Sequence, residues 1–341
     1  MNRTGRAMTP SRARFATAAL AVAAVAVAAL SMPPCIADAQ PVTRLSDPAA
    51  PAPSRWAADV ARLDAELQMR ALVIDDPRGH WVAAHFDATD PAARVRHYTA
   101  ARVAAPRENL YVASLAIACQ QPVQPSLPEC DAMDRLADWA TRDADNGVPL
   151  LLLATKATRR GNNDTAVAYL EQAAAKPRMD DYGARGALVF WDYVMAMPTD
   201  VDRAAKAEAA AAYAADLPQS ASTAVAGACG APAIPEARRA ACAQAGAALA
   251  ERAATFAARA LGATIAERAA ADPAAAARTR ARQASNDALR ARCAALDLDT
   301  QQGVESADPA VRARALAAWD ASVRAKAAQG EVAACAQRAG S

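Results

Sequence analysis

The residues that could carry chemistry in this 341-residue chain are few and widely spaced. All three histidines, His80, His85 and His97, lie in the amino-terminal third. His80 and His85 are five apart, which sets them on different faces of a helix, whereas a zinc pair needs a spacing of three or four. His97 falls where a helical hairpin wants a packing residue. Such a distribution suits general-base hydrolysis poorly. The acidic clusters Asp75-Asp76, Asp143-Ala-Asp145 and Asp180-Asp181 lack the alternating ligand spacing of a calcium loop. Acids just before a helix favour the positive end of its dipole instead. Glu305-Ser306 reads as a loop or cap ahead of a helix that starts at Asp308. No serine-hydrolase elbow, phosphate-binding loop or dinucleotide fingerprint occurs, so the sequence assigns no catalytic residue, metal ligand or cofactor.

The cysteines are the remaining reactive groups. Cys35 sits in a leader-like segment, which leaves Cys119, Cys130, Cys229, Cys242, Cys293 and Cys335. No CxxC spacing occurs among them and no histidine is near, which argues for disulfides rather than a metal site. Six cysteines allow about 15 connectivities and the sequence does not choose among them. Proximity favours Cys119 with Cys130 across a proline-rich loop and Cys229 with Cys242 across Gly230 to Pro235, which leaves Cys293 and Cys335 to join the last long helices.

Disulfides require an oxidising compartment, and the amino terminus carries an address for one. Arg3, Arg6, Arg12 and Arg14 precede an uncharged stretch from Ala16 to Met32, and Ala37-Asp38-Ala39 is a small-x-small cleavage signature. Residues 1–39 therefore read as a signal peptide and the mature chain as starting at Gln40, in the periplasm or secreted. The apolar run is built mainly from Ala and Val, too short and too weakly lipophilic for a spanning helix. No later segment is apolar enough to insert in a membrane. Removing the leader leaves 34 basic against 35 acidic groups, a net charge near −1 where the whole chain has +2. The basic character belongs to the leader, and no nucleic-acid partner is expected.

Alanine dominates the rest, with only 13 glycines and 4% aromatics, a composition that forms helices and cannot build a sheet. Small alanines bury little area each, so the helices must pack closely. Residues 40–55 read as a flexible tail. From Trp56, Val60, Leu63, Leu67 and Leu72 recur as one apolar face. Asp76-Pro77 breaks that helix, Trp81 to Phe86 forms a short one, and Asp90-Pro91 opens the next. Helical hairpins follow over roughly 91–104, 107–119, 130–143, 147–160, 163–176 and 180–197. Beyond Pro198 lies an alanine- and arginine-rich helical region, residues 198–341, with long helices at 235–270, 272–296 and 308–337, the first divided at Gly262.

The segment Gly147 to Pro177 places Leu150, Leu153, Ala154 and Ala157 on a first helix, Gly161 at a turn, and Ala166, Leu170 and Ala173 on a second. In that pattern it resembles a tetratricopeptide repeat, in degenerate form. Ala132, Leu136 and Trp139, followed by Asp143 to Asn146, match the end of an earlier repeat, and the likeness extends loosely over 90–197. The expected fold is therefore all-α: composition gives the helices, the resemblance gives α-solenoid hairpins over 56–197, an alanine-rich helical bundle follows, and the cysteines staple it with disulfides. The resemblance also implies a groove lined by Val148, Leu151, Thr155, Thr158 and Arg159. Four aromatics within twelve residues, Tyr182, Phe190, Trp191 and Tyr193, form either a local core or a docking patch, with Tyr182, Trp191 and Tyr193 the candidates for the latter. The expected function is a non-enzymatic exported scaffold that binds another protein or a peptide. The alternatives are an envelope enzyme with an unrecognised carboxylate site and a structural subunit of an oligomer.

Overall fold

The computed structural model describes residues 56–71, 76–86, 90–120, 127–131, 134–215, 217, 220–230 and 234–340. The leader and the residues 40–55 read as a tail lie outside these. Among the described residues the chain forms sixteen helices and two isolated β-bridges, and no strand. From Ala58 onward it is one compact unit.

Six helices make up the amino-terminal part. They are α1 (Ala57–Ala71), α2 (Pro77–Phe86), α3 (Pro91–Ala104), α4 (Asn109–Ala118), the single turn α5 (Pro128–Asp131) and α6 (Arg135–Arg142). Asp76-Pro77 does more than end α1: the Asp76 carboxylate accepts from the backbone N–H of Arg78 and Gly79, so α2 starts four residues earlier than its aromatics suggest. Next come α7 (Val148–Arg159) and α8 (Asn163–Ala174), which form a tight hairpin around Gly161 at φ +72°. Ala154, Ala157, Ala166, Leu170 and Ala173 are all buried in it.

Two helices in the proline-punctuated stretch after Pro198 are additions to the sequence expectation. The α9 (Gly183–Met195) and α10 (Arg203–Ala215) pair is followed by α11 (Ser220–Cys229), which lies on α7, while α12 (Glu236–Arg252) lies on α8. The α11–α12 pair, not α9–α10, therefore continues the packing of the α7–α8 hairpin. The chain ends with α13 (Phe256–Ala269), α14 (Pro273–Val304), α15 (Pro309–Gln329) and α16 (Glu331–Gly340). The expected 235–270 helix breaks at Ala253–Thr255, where Thr255 caps α13, and not at Gly262. Gly330, at φ +87°, likewise splits the expected 308–337 helix.

Gly262 has a different task. A Cβ on it would lie 2.6 Å from the backbone nitrogen of Ala250 and 2.7 Å from the Gly246 carbonyl oxygen. A Cβ on Gly246 would lie 2.7 Å from the Ala266 nitrogen and 2.9 Å from the Gly262 oxygen. At this crossing α12 and α13 touch backbone to backbone, which only glycine permits. The same principle fits the many buried alanines of this core.

Covalent and polar ties complete the fold. The disulfides are Cys119–Cys130, Cys229–Cys242 and Cys293–Cys335, with Cα separations of 5.4, 5.7 and 5.9 Å. Loop-closure entropy assigns about 3 kcal/mol to each short loop and about 4 kcal/mol to the longer one.

Replacing Gly246 or Gly262 by valine drives methyl groups into backbone atoms that cannot yield. Each variant is expected to lose about 3 kcal/mol or more, read as a fall in Tm or as failure to fold. Valine at Gly340, where an added Cβ would meet nothing within 4 Å, should leave Tm nearly unchanged.

Candidate functional site

The groove expected on α7 is covered by the chain's own α11. Val148, Leu151 and Thr155 are buried, Thr158 is half-buried, and only Arg159 is exposed. Thr155 donates its hydroxyl to the Ala224 carbonyl oxygen at 2.5 Å, and Gly227 lies against the Thr155 side chain so closely that a Cβ there would collide with it. These residues hold the fold together and leave little surface open to a separate partner.

The aromatic group on α9 divides. Phe190 is fully buried among Trp81, His85 and Tyr213, with ring centroids 4.9 to 5.5 Å away, so this member of the cluster is core. Tyr193 is half-buried against the core, and burial raises its phenol above the ordinary value. Tyr182 is buried and donates to Asp143 at 2.8 Å. Its backbone is left-handed, at φ +63°, at the start of α9.

Asp143 anchors a polar staple between the α6–α7 turn and the α8–α9 loop. Its carboxylate accepts from Trp139 Nε1, Asn146 Nδ2, Tyr182 Oη and Arg178. Asn146 in turn donates to the Asp180 carbonyl and accepts from the N–H groups of Val148 and Asp180. A buried carboxylate with this many donors is satisfied rather than reactive. Asp180 beside it is less well placed. Burial raises its carboxyl above the usual range, against the opposing pull of the Tyr182 N–H and of Arg178 and Arg185.

Tyr182 lines a small cavity of about 60 Å³, and Trp191 reaches a larger cleft. Although only 2% exposed, Trp191 lines a cavity of about 400 Å³ between α9, α10 and the last four helices. That size is within the roughly 300–1,000 Å³ of small-ligand sites. Alanines of α9 and α10 form its walls, and Trp191, Trp319 and Phe256 supply aromatic surface, the two indoles 5.8 Å apart. The Trp191 ring is fixed by its Nε1–H donating to Asp320 at 2.7 Å. Arg324 braces Asp320 and also reaches Asp192, tying α15 to α9. Hydrogen bonding from Arg324, helped by the Trp191 indole and opposed by burial, holds the Asp320 carboxyl below the usual range.

Four charged residues border this cleft. Asp181 accepts from the Gly183 N–H at the start of α9, and Glu331 accepts from the Phe256 N–H at the start of α13. Lys326 pairs with Asp297 at 3.3 Å. Arg290 is exposed and forms no ion pair among the described residues. Of this lining the sequence pointed only to Trp191, because the rest comes from elements more than a hundred residues apart and includes many alanines.

Two other groups come together that the sequence kept separate. His80 on α2 and His97 on α3 approach with Nδ1 atoms 3.1 Å apart and ring centroids 5.4 Å apart, the separation of rings lined up through those nitrogens. The contact takes up one nitrogen of each ring, with the tautomers setting which ring donates. Among the described residues no group of three or more His, Cys, Asp or Glu is arranged to hold a metal ion. Arg238, on the first turn of α12, is only 6% exposed and donates Nη1–H to Thr158 at 2.7 Å. Its Nε has no hydrogen-bond partner among the described residues. Burying a guanidinium without a carboxylate costs several kcal/mol, more than the ~1 kcal/mol that the carbonyl end of α7 returns through its dipole.

Asp180→Asn keeps an oxygen for the Tyr182 N–H and removes the buried charge. A carboxyl raised on folding contributes stability that is present below its unfolded value, about 4, and is lost as pH rises through the folded value. The variant is therefore expected to melt higher than the parent at neutral pH, with the gain vanishing below about pH 4. Thermal melts across that range check this.

Comparison of the chain with protein-family models, with curated proteins and with solved structures found no match.

Proposed function

We propose that this chain is an exported, non-enzymatic scaffold, periplasmic or secreted, that holds the carboxyl-terminal end of a peptide in the Trp191–Trp319 cleft. The observation that carries the reading is the cleft's division of labour: an apolar floor of alanine and indole, with one charged group at its edge, Arg290, that no internal partner among the described residues neutralises. An apolar side chain fits the floor, and a carboxylate fits the guanidinium. The two acidic residues at the rim are engaged in capping helix starts, which weighs against the reading as a carboxylate enzyme.

Degenerate tetratricopeptide-like hairpins are the scaffold in this reading. The α7–α8 hairpin supports it, with small residues buried at the helix contact and a left-handed glycine at the turn. Because α11 covers the α7 face, the binding site moves from the usual groove to the cleft. Six paired cysteines fit an oxidising compartment, and no described helix is long and apolar enough to cross a membrane.

Tryptophan fluorescence can follow a library of short peptides with apolar termini, each as free acid and as amide. Free acids are expected to bind about tenfold tighter or better, the value of one charge-assisted hydrogen bond. Arg290→Gln should abolish that preference, and Ala187→Phe, which fills the cleft, should abolish binding of both forms. If no peptide shifts the fluorescence, or if Arg290→Gln leaves the acid preference intact, the reading fails.

A further inference from the structure

The buried guanidinium of Arg238 is independent of the cleft and has no role in the reading above. It lies at the junction of α7 and α12, held on one side by Thr158. Its Nη1 is used, and its Nε is buried with no partner among the described residues. Nη2 likewise has no acceptor among the described residues, and since Nε is closed off it is the atom an anion can reach. A guanidinium N–H donates strongly to an anionic oxygen.

Its surroundings add positive side chains, opposed by the carbonyl end of α7. Arg159, the residue after Thr158, is exposed and in no ion pair among the described residues, and the same holds for Arg160. Of the nearby acids in the chain, Glu236 pairs with Arg239 at 2.9 Å, and Asp164 is exposed on the first turn of α8. The undescribed residues Ala231, Pro232 and Ala233 contain no carboxylate. The α12 helix begins at Pro235, which offers no side-chain cap, so its first N–H groups also favour an anion.

We infer that Arg238 and Arg159, with Thr158 and the first turn of α12, form a binding site for a phosphate-class oxyanion. The anion supplies the countercharge that the buried guanidinium lacks. Arg159 holds its exposed side. Thr158 and Arg159, expected from sequence to face a peptide groove, are on this reading parts of an ion site.

Inorganic phosphate is the probe, compared with chloride at equal ionic strength. The intact protein is expected to gain about 2 °C or more in Tm with phosphate. Arg238→Met should lose that gain, while in chloride it melts no lower than the parent because an unpaired buried charge is gone. Arg159→Gln, at an exposed position that folding does not depend on, should need at least about threefold more phosphate for the same shift. The inference is overturned if phosphate raises all three proteins equally, as a general salting effect would, or raises none of them. Neither result touches the peptide cleft, whose readout is fluorescence at Trp191 and Trp319.

Discussion

A core made of alanine can cohere only if its helices come close enough for backbones to share the contact. Each buried alanine removes a small area from water, so the stabilisation that leucine supplies by size must come from the number and tightness of contacts. The crossing of α12 and α13 at Gly246 and Gly262 is the limiting case. There is no soft layer between those helices to absorb error, and their relative position is fixed more narrowly than in a leucine-rich bundle. The α7–α11 contact at Thr155 and Gly227 follows the same rule.

Tight packing of small residues leaves the ends of helices and the turns between them under-secured, and polar groups take up that task. Asp143 gathers donors from a turn, a loop and a helix start into one cluster. Glu331 reaches from the start of α16 to cap the start of α13, beside the Val332 N–H to Ala254 carbonyl bond. Arg324 and Asp320 fix Trp191 and tie α15 to α9. Large aromatic surface is concentrated where several helices meet, around Phe190 and around the Trp191–Trp319 pair, and in the second place the walls are too small to close the gap. A cleft results where two indoles are flanked by alanines.

The all-helical class was legible from composition, and the starts of α3, α14 and α15 from Asp-Pro pairs, because capping is a local interaction written in adjacent residues. The α7–α8 hairpin was legible for a similar reason: its small and large positions recur at helical spacing. What the sequence concealed was long-range. Nothing local says that α11 will cover α7, so Val148, Leu151 and Thr155 read as a surface. Nothing local distinguishes a glycine that divides a helix from one that lets two helices touch, so Gly262 read as a break. Trp191 was legible as a docking aromatic, but the cleft around it was not, because alanine recurs in nearly every helix here and only assembly decides which alanines line a space. His80 and His97 meet through the pairing of α2 with α3, which spacing along one helix could not reveal.

The three disulfides join cysteines that are consecutive in the chain: the first with the second, the third with the fourth, the fifth with the sixth. On the proposed export route, a chain that meets an oxidant amino end first presents each of these six cysteines with its native partner before a later one. Such a chain has no need to reshuffle its bonds, and its native pairing is set by order of arrival. On that route a retained Cys35 would set an odd thiol ahead of the three pairs.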